Sequence, residues 1–234
     1  MDLQTTIIIA IAIVIAGVVY SLPTIIRIIQ VRRTPTTWMN ALPEQGRVEV
    51  NGKVSQNVTE SPIGKTPCAA WQIEVEQLHR DNKGRTSWST CLKKNSSERF
   101  TLEDDLGKVQ VQPDEDADWT LADDNDLGLL ESDQAYILTD RFNFDTVGIM
   151  GGEKTLRGVE RLLVAGDQAY VMGMVSTENG DKVISAVNSG FVSSLTISDK
   201  SEAQVIRTML TRVGVNMLVA VVVAALEVLF LSKK

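Results

Sequence analysis

Cysteine and histidine are almost missing from this chain. Its 234 residues hold two cysteines, Cys68 and Cys91, and one histidine, His79. Structural zinc sites are tetrahedral and take mainly Cys and His ligands, so these three side chains cannot complete even one. No metal site is assigned and no cofactor is expected. A nucleophilic triad needs a base, and the sole imidazole sits beside Arg80 and Asp81 in a charged turn. No G-x-S-x-G elbow occurs, and no catalytic residue is assigned. Aromatics are also scarce, 5% of a chain that is 44% hydrophobic, so the apolar content is mostly aliphatic.

Charge is missing from two long stretches. Residues 6–26, "TIIIAIAIVIAGVVYSLPTII", and 213–226, "VGVNMLVAVVVAAL", carry none. A helix crossing a ~30 Å hydrocarbon core needs ~20 mostly apolar residues; the second run reaches that length by including Glu227 and "VLFLS". The start, "MDLQTT", is acidic, and Arg27, Arg32 and Arg33 follow the first run, the reverse of a signal peptide. An uncleaved anchor is predicted. Arg27, Arg32, Arg33, Arg207 and Arg212 flank the central region, against Lys233 and Lys234 on the far side. Basic residues favour the cytoplasmic side, so the expectation is an integral membrane protein with two spans. Its soluble domain is placed in the cytoplasm of a prokaryote, the extracytoplasmic side being the alternative.

The middle of the chain alternates as strands do. In "GRVEVNGKVSQ", Val48, Val50 and Val54 flank Asn51-Gly52, a hairpin-turn signal. "CAAWQIEVEQL" puts Trp71, Ile73 and Val75 on one face and Gln72, Glu74 and Glu76 on the other, a half-buried antiparallel strand. "TSWSTCL", "RFTLEDDLGKVQVQP", "VERLLVAGDQAYVMGMV", "DKVISAV" and "SGFVSSLTI" supply further strands. If "DNKG" closes a hairpin, Arg80 faces Arg85 and Cys91 faces Glu74. Cys68 then lies six residues further on, which at ~3.3 Å per residue is ~20 Å, well beyond the ~7 Å disulfide limit. Two free thiols are predicted. Parity counted from Trp71 puts Cys68 on the opposite face, unless a bulge after Pro67 shifts it. It is read as a small packing residue at a strand entrance stiffened by Pro62 and Pro67.

Two motifs fail on inspection. Residues 114–133 hold nine acids and no base, but aligning Gly128 with the glycine of a calcium loop leaves Leu127 and Gln134 at ligand positions. A solvated acidic loop is expected. "GIMGGEKT" resembles a phosphate loop, but Glu153 stands where glycine must precede the lysine, and nucleotide binding is rejected. At "SDKSEAQVI", Asp199 and Glu202 have capping-box spacing, opening a helix that runs into the second span.

"SPIGKTPCAAWQIEVEQ", "FTLEDDLGKVQVQP", "VERLLVAGDQAYVMGMV" and "SGFVSSLTISDKSEAQVI", in that order between two spans, resemble the GIDE family. Its domain, also called BAM ("beside a membrane"), occurs in MULAN-type mitochondrial ubiquitin ligases and in prokaryotic relatives. The resemblance implies a β-rich domain and marks Pro67, Cys68, Trp71, Glu74, Glu76, Gly166, Asp167, Tyr170 and Gly173 as motif residues. The family's ligases carry a RING after the second span. This sequence ends at Lys234 with no cysteine beyond Cys91, so ligase activity is not expected of it.

The expectation is therefore a mainly β protein, a compact antiparallel β domain on a two-helix transmembrane hairpin. Its parts are residues 1–33, 34–198 and 199–234. Asn216 and Glu227 are polar groups within a span, a functional signal by default. They share a helical face with Ala220 and Ala224, and the first span offers Ala12, Ala16 and Gly17, so a packing surface is expected. The leading function is a non-catalytic binding or scaffold module with a protein partner or self-association and no nucleic acid. An enzyme with an unrecognised site, including a Cys–His79 pair, is one alternative. An oligomeric channel built on Glu227 and Asn216 is the other.

Overall fold

The computed structural model describes residues 3–81, 83–115, 117–121, 124–147, 151–186 and 195–231. In chain order, helix α1 (Leu3–Arg33) and a 3-10 turn (Met39–Ala41) precede strands β1 (Gly46–Val54), β2 (Thr59–Glu60), β3 (Pro67–Cys68), β4 (Ala70–Arg80) and β5 (Thr86–Asn95). Then come β6 (Phe100–Glu103), β7 (Lys108–Gln112), β8 (Asp118–Thr120), β9 (Asp124–Leu129) and helix α2 (Ser132–Phe142). Strands β10 (Leu156–Leu163), β11 (Gln168–Glu178), β12 (Asp181–Ser185) and β13 (Thr196–Ser198) follow, and helix α3 (Glu202–Leu231) ends the chain. Two compact units result: a helical one up to Pro35 and from Ser201, and a β domain from Thr36 to Lys200.

In the helical unit, α1 packs along α3. Both are long and apolar enough to cross a bilayer, with mean hydropathy 2.4 over Ile7–Arg33 and 2.0 over Glu202–Leu229. Ser21, Ile28 and Val31 are buried on α1, and Val205, Met209, Ala220 and Ala224 on α3. These spacings of three, four and seven residues are those of a packed helix seam. A Cβ added to Gly17 would stand 2.6 Å from that of Ala220, so only glycine permits this approach. The expected small-residue stripe is corrected in part: Gly17 is half-buried at the seam, but Ala12 and Ala16 are exposed. Residues 100° apart per step cannot all share one narrow face, and the seam runs through Gly17 and Ser21 instead.

The β domain is built on a closed five-stranded ring. Its order is β1-β6-β7-β12-β11, and β11 returns to β1 from Gly46↔Val175 to Lys53↔Gln168. Every neighbour in the ring is antiparallel except β7 and β12. This is a five-stranded Greek-key barrel of the OB type. Val50, Phe100, Leu102, Val111, Val171 and Ile184 are among its buried core residues. The opposite edge of β11 also carries β13, which pairs in parallel with β8.

Two insertions into the barrel together make a second sheet, in the order β5-β4-β10-β9. Strands β4 and β5 come from between β1 and β6, while β9, α2 and β10 come from between β7 and β11. Pairing of β4 with β10, Gln77↔Leu156 through Ala70↔Leu163, joins the insertions. One face carries Trp71, Ile73 and Val75 onto Leu138 of α2 and Leu156.

Several local expectations change. Asn51-Gly52 is not a turn, because β1 runs through it. Gly52 is there for contact: an added Cβ would lie 2.8 Å from the Glu103 carbonyl oxygen. The acidic stretch is not one solvated loop; it holds β8, β9 and the buried Trp119. Helix α3 begins at Glu202, and the Ser201 amide just ahead of it donates to Gln204 Oε1 at 3.2 Å. Residues 189–194 of the predicted strand "SGFVSSLTI", 187 of "DKVISAV", and 148–150 of "GIMGGEKT" lie outside the described residues.

The β4–β5 register also shifts. Arg80 faces Thr86, not Arg85, and a bulge at Val75/Glu76 leaves Cys91 outside the regular pairing and Glu74 opposite Lys93. Cys91 Sγ donates to the Val75 carbonyl at 3.3 Å within that bulge. The chain breaks strand geometry at Ala69, between β3 and β4, which rotates Cys68 onto the Trp71 face.

Candidate functional site

Strands β2 and β3 form a small hairpin around "SPIGKTP", closed by pairing of Glu60 with Pro67 and Thr59 with Cys68. The Ser61 amide donates to the Thr66 carbonyl at 2.9 Å. The Thr66 amide returns a bond to Ser61 Oγ at 3.1 Å. From β10, the Glu160 carboxylate accepts from the amides of Ile63 at 2.7 Å and Gly64 at 3.1 Å. Glu160 is fully buried, and these amides compensate its desolvation.

Cys68 lies under this hairpin with no exposed surface. Burial, and then the charges of Glu160, Glu98 and Glu60, push its thiol up to about 12. The thiolate is the nucleophile, so Cys68 is held in the unreactive form. Burial raises the Cys91 thiol as well. Both cysteines are free. His79 is exposed near the end of β4 and pairs across the sheet with Ser87.

The other motif residues make packing, turn and pairing contacts. Trp71 packs edge-on against Phe142 at 6.0 Å, with the Arg141 guanidinium 5.6 Å from its ring centre. Gly166 adopts a φ of 93° in the β10–β11 turn, which Asp167 closes by accepting the Val164 amide at 2.8 Å. Tyr170 donates its hydroxyl to the buried Glu49 at 3.0 Å. Gly173 leaves space for Ile184 and Leu195, which crowd its Cα. Asn216 and Glu227 are half-buried on the helical face of Ala220 and Ala224.

Glu74 and Glu76 lie on the sheet face away from α2, where they meet two arginines from β10. Arg161 donates to Glu74 at 2.9 Å and to Gln72 at 3.2 Å. Arg157 pairs with Glu76 and covers the Trp88 ring, 4.5 Å from its centre. Partial burial raises the Glu74 pKa. The bonds from Arg161 and Thr90, with the charges of Arg161 and Lys93, outweigh it and bring the group below its usual value. This row of paired charges and an aromatic is solvent-accessible and built on rigid strands.

Sequence reasoning did not single out Glu49, Glu160, Arg157 or Arg161. Glu160 had a signal, since the alternation Leu156, Gly158, Glu160 puts a carboxylate on the inward side of β10. Helix α2 was also unforeseen; its signal was Glu131 and Gln134, which form a capping box.

Among the clefts on the domain, one of about 340 Å³ is lined by Ser132, Tyr136, Thr139, Thr146, Glu153 and Lys154. Another, about 420 Å³ and open, includes Asn57, Thr59, Glu60, Ser61, Lys65 and Arg141. Neither joins His79 to a cysteine or serine. Among the described residues no three His, Cys, Asp or Glu side chains cluster as a metal site would need.

The family model for GIDE, described as E3 ubiquitin ligase, matches residues 73–231. The match starts inside β4, so "SPIGKTPC" falls just ahead of it. No curated protein and no solved structure matches the chain.

Proposed function

The chain belongs to the GIDE family, and from that premise we propose that it is a membrane-anchored, non-catalytic module that docks a protein partner near the bilayer. The observation that carries this reading is the state of its few reactive groups. Cys68 is buried and protonated, Cys91 is engaged with a main-chain carbonyl, and His79 stands apart from both. By contrast, the outer face of the second sheet offers a rigid, accessible row of Glu74, Glu76, Trp88, Arg157 and Arg161. Domains of this size that present charge and aromatics on strands are suited to recognition.

Helices α1 and α3 form the anchor as two spans, with the β domain on the cytoplasmic side of a prokaryotic membrane. The five arginines flanking the domain, against two lysines at the far end, support that side. Asn216 and Glu227 hold the helices to each other rather than lining an ion route.

The test is affinity purification from native membranes in mild detergent, comparing the full chain with one lacking residues 36–200. Partners recovered with the full chain alone are expected; the same set from both would overturn the reading. The family's ligase label gives the second arm. Purified chain is incubated with ubiquitin, activating enzyme and a panel of conjugating enzymes. No stimulated ubiquitin discharge is expected, and stimulation above the enzyme-free rate would restore a catalytic function.

A further inference from the structure

Strand β5 is an edge of the second sheet, with only β4 beside it. Its backbone orientation follows from two hydrogen bonds. The Asp81 amide donates to the Arg85 carbonyl at 2.9 Å. The Leu78 amide points the other way, donating to the Thr155 carbonyl at 3.0 Å. Bonded and non-bonded pairs alternate in an antiparallel ladder. The pairs His79:Ser87 and Gln77:Ser89 are therefore the bonded ones, and Arg80:Thr86, Leu78:Trp88 and Glu76:Thr90 are not. Thr86, Trp88 and Thr90 consequently aim their N–H and C=O groups off the open edge of the sheet.

The two ends of this edge are closed in different ways. Beyond Thr90, the bulge at Cys91 interrupts the pairing with β4. Further on, Asn95 Nδ2 donates to the Glu115 carbonyl at 3.0 Å and Lys94 reaches the Glu115 carboxylate at 3.4 Å, so an acidic segment already covers that end. Between the turn and the bulge, Thr86, Ser87, Ser89 and Thr90 are exposed. Long open edges invite pairing with another chain unless they are blocked.

We propose that the Thr86–Thr90 edge of β5 is a docking site for an extended acidic segment of a partner protein, which adds to the second sheet as a further strand. The proposal rests on the non-catalytic docking role given above and names the surface and the chemistry of the partner. Three outward residues, each with one donor and one acceptor, offer up to six main-chain hydrogen bonds, the source of affinity in strand addition.

Charge selects the occupant. Arg80, Lys83, Arg85 and Lys93 border the edge, in a chain whose net charge is −7. Arg85 pairs with Asp81 at 2.8 Å, while Arg80 and Lys83 have no ion pair among the described residues. Self-pairing is disfavoured by the same groups in two of its registers, whereas Trp88 facing Thr86 sets Asp81, already paired with Arg85, against Lys93. A two-fold centred on Trp88 sets Lys83 against Lys93, and the next register, Trp88 facing Thr90, sets Arg85 against Lys93. Like charges directly opposite on paired strands destabilise them. An acidic strand meets Arg80 and Lys83, while the bordering carboxylates Asp81 and Glu115 are engaged by Arg85 and Lys94, and Trp88 and Arg157 on the outer face receive its alternate side chains.

The probe is a fluorescein-labelled twelve-residue peptide of alternating valine and glutamate, titrated against the full chain in nanodiscs of neutral lipid and read by anisotropy. Saturable binding is expected, at least tenfold tighter than for the valine–lysine counterpart and weaker as salt rises. N-methylation of every second peptide amide should abolish it. Amide exchange at Trp88 and Thr90 should slow when the peptide binds, with Ser87 and Ser89 already protected by β4. Thr90→Pro removes an outward N–H while keeping the main-chain bonds to β4. It also removes the Thr90 hydroxyl's bond to Glu74, which Thr90→Val removes alone, so the proline variant should weaken binding at least tenfold and the valine variant should not. Arg80→Glu with Lys83→Glu, at the last position of β4 and in the turn, changes side chains with no ion pair among the described residues. It should weaken binding similarly and flatten the salt dependence, so the test survives if the proline variant fails to fold.

No saturable binding, equal binding of the lysine peptide, or equal binding by the N-methylated peptide overturns the proposal. A chain that dimerises without peptide, and loses the dimer on Thr90→Pro, makes the edge an interface between copies instead. Protection of Trp88 and Thr90 by anionic-lipid nanodiscs alone makes it a lipid contact. If native-membrane partners are retained by Thr90→Pro and by the charge variant, the edge is not the site while the docking role stands. If the full chain recovers no partner at all, that role itself fails.

Discussion

The Ile63 amide donates to the Glu160 carboxylate across 2.7 Å, joining residues 97 apart in sequence. That bond ties the β2–β3 hairpin, from the first barrel insertion, to β10 from the second. Glu160→Ala would leave the amides of Ile63 and Gly64 without an acceptor in a dry setting. Unsatisfied buried donors and lost bonds to a charged group cost about 2–4 kcal/mol together. For a domain of this size that is a fall of roughly 5–15 °C in the unfolding temperature. Glu160→Gln keeps one acceptor and should lose about half as much. Thermal unfolding in detergent and amide exchange at Ile63 and Gly64 check this; unchanged protection at both amides in the alanine variant would sink it.

Cys68 should resist alkylation in the folded protein. Its thiol is raised from an ordinary 9.0 to about 12, so at pH 8 almost none is thiolate. A raised folded value means the protonated thiol's contribution is fully present below pH 9 and is lost as pH climbs towards 12. Iodoacetamide followed by peptide mass spectrometry should find Cys91 modified slowly and Cys68 only after denaturation. Cys68→Ala should flatten the part of the alkaline stability loss that lies between those values. Labelling of Cys68 at native-state rates equal to Cys91 would contradict its burial.

How legible these features were depends on how local their causes are. The two long apolar helices, the alternation of β4, and the turn at Gly166-Asp167 follow from nearest-neighbour chemistry, and the sequence shows them directly. The barrel closure does not, because β1 meets β11 more than a hundred residues later, and nothing in either strand names its partner. Asn51-Gly52 misled for the same reason: glycine there serves a contact with Glu103, which no local signal separates from a turn. The β4–β5 register was one residue off because the turn closes with Asp81 opposite Arg85. The bulge at Val75/Glu76 adds a further residue without a composition mark, and Ala69 altered the facing of Cys68 likewise. The residues marked by family likeness lie in turns, pairings and packed positions. Their partners Glu160, Arg157 and Arg161 needed the β4–β10 pairing to be seen.

The helix seam makes a paired prediction. Gly17→Ala puts a methyl 2.6 Å from the Ala220 Cβ, and overpacking of this kind costs about 1–3 kcal/mol. Ala220→Gly alone should cost about 1 kcal/mol through helix propensity. Together they exchange the two groups across the seam, so the double variant should be more stable than the sum of the singles. A double-mutant cycle on unfolding in detergent measures this coupling. Strict additivity would mean that Gly17 and Ala220 do not meet.

The Arg161–Glu74 pair makes the acid-side prediction. Burial raises the Glu74 pKa, but the bonds from Arg161 and Thr90 and the nearby positive charges bring it below its ordinary 4.5. A lowered folded value contributes stability above the unfolded pKa and loses it as pH falls through the folded one. Arg161→Gln removes the largest of the lowering influences and also the bond to Gln72. The wild-type chain should therefore exceed the variant by a constant margin from pH 8 down to about 5. Below pH 4.5 the margin should narrow as Glu74 takes up its proton in both. Chemical unfolding followed by Trp fluorescence across pH 3–8 reads that margin directly. A gap that widens on acidification would mean that Arg161 is held by another partner and not by the Glu74 carboxylate.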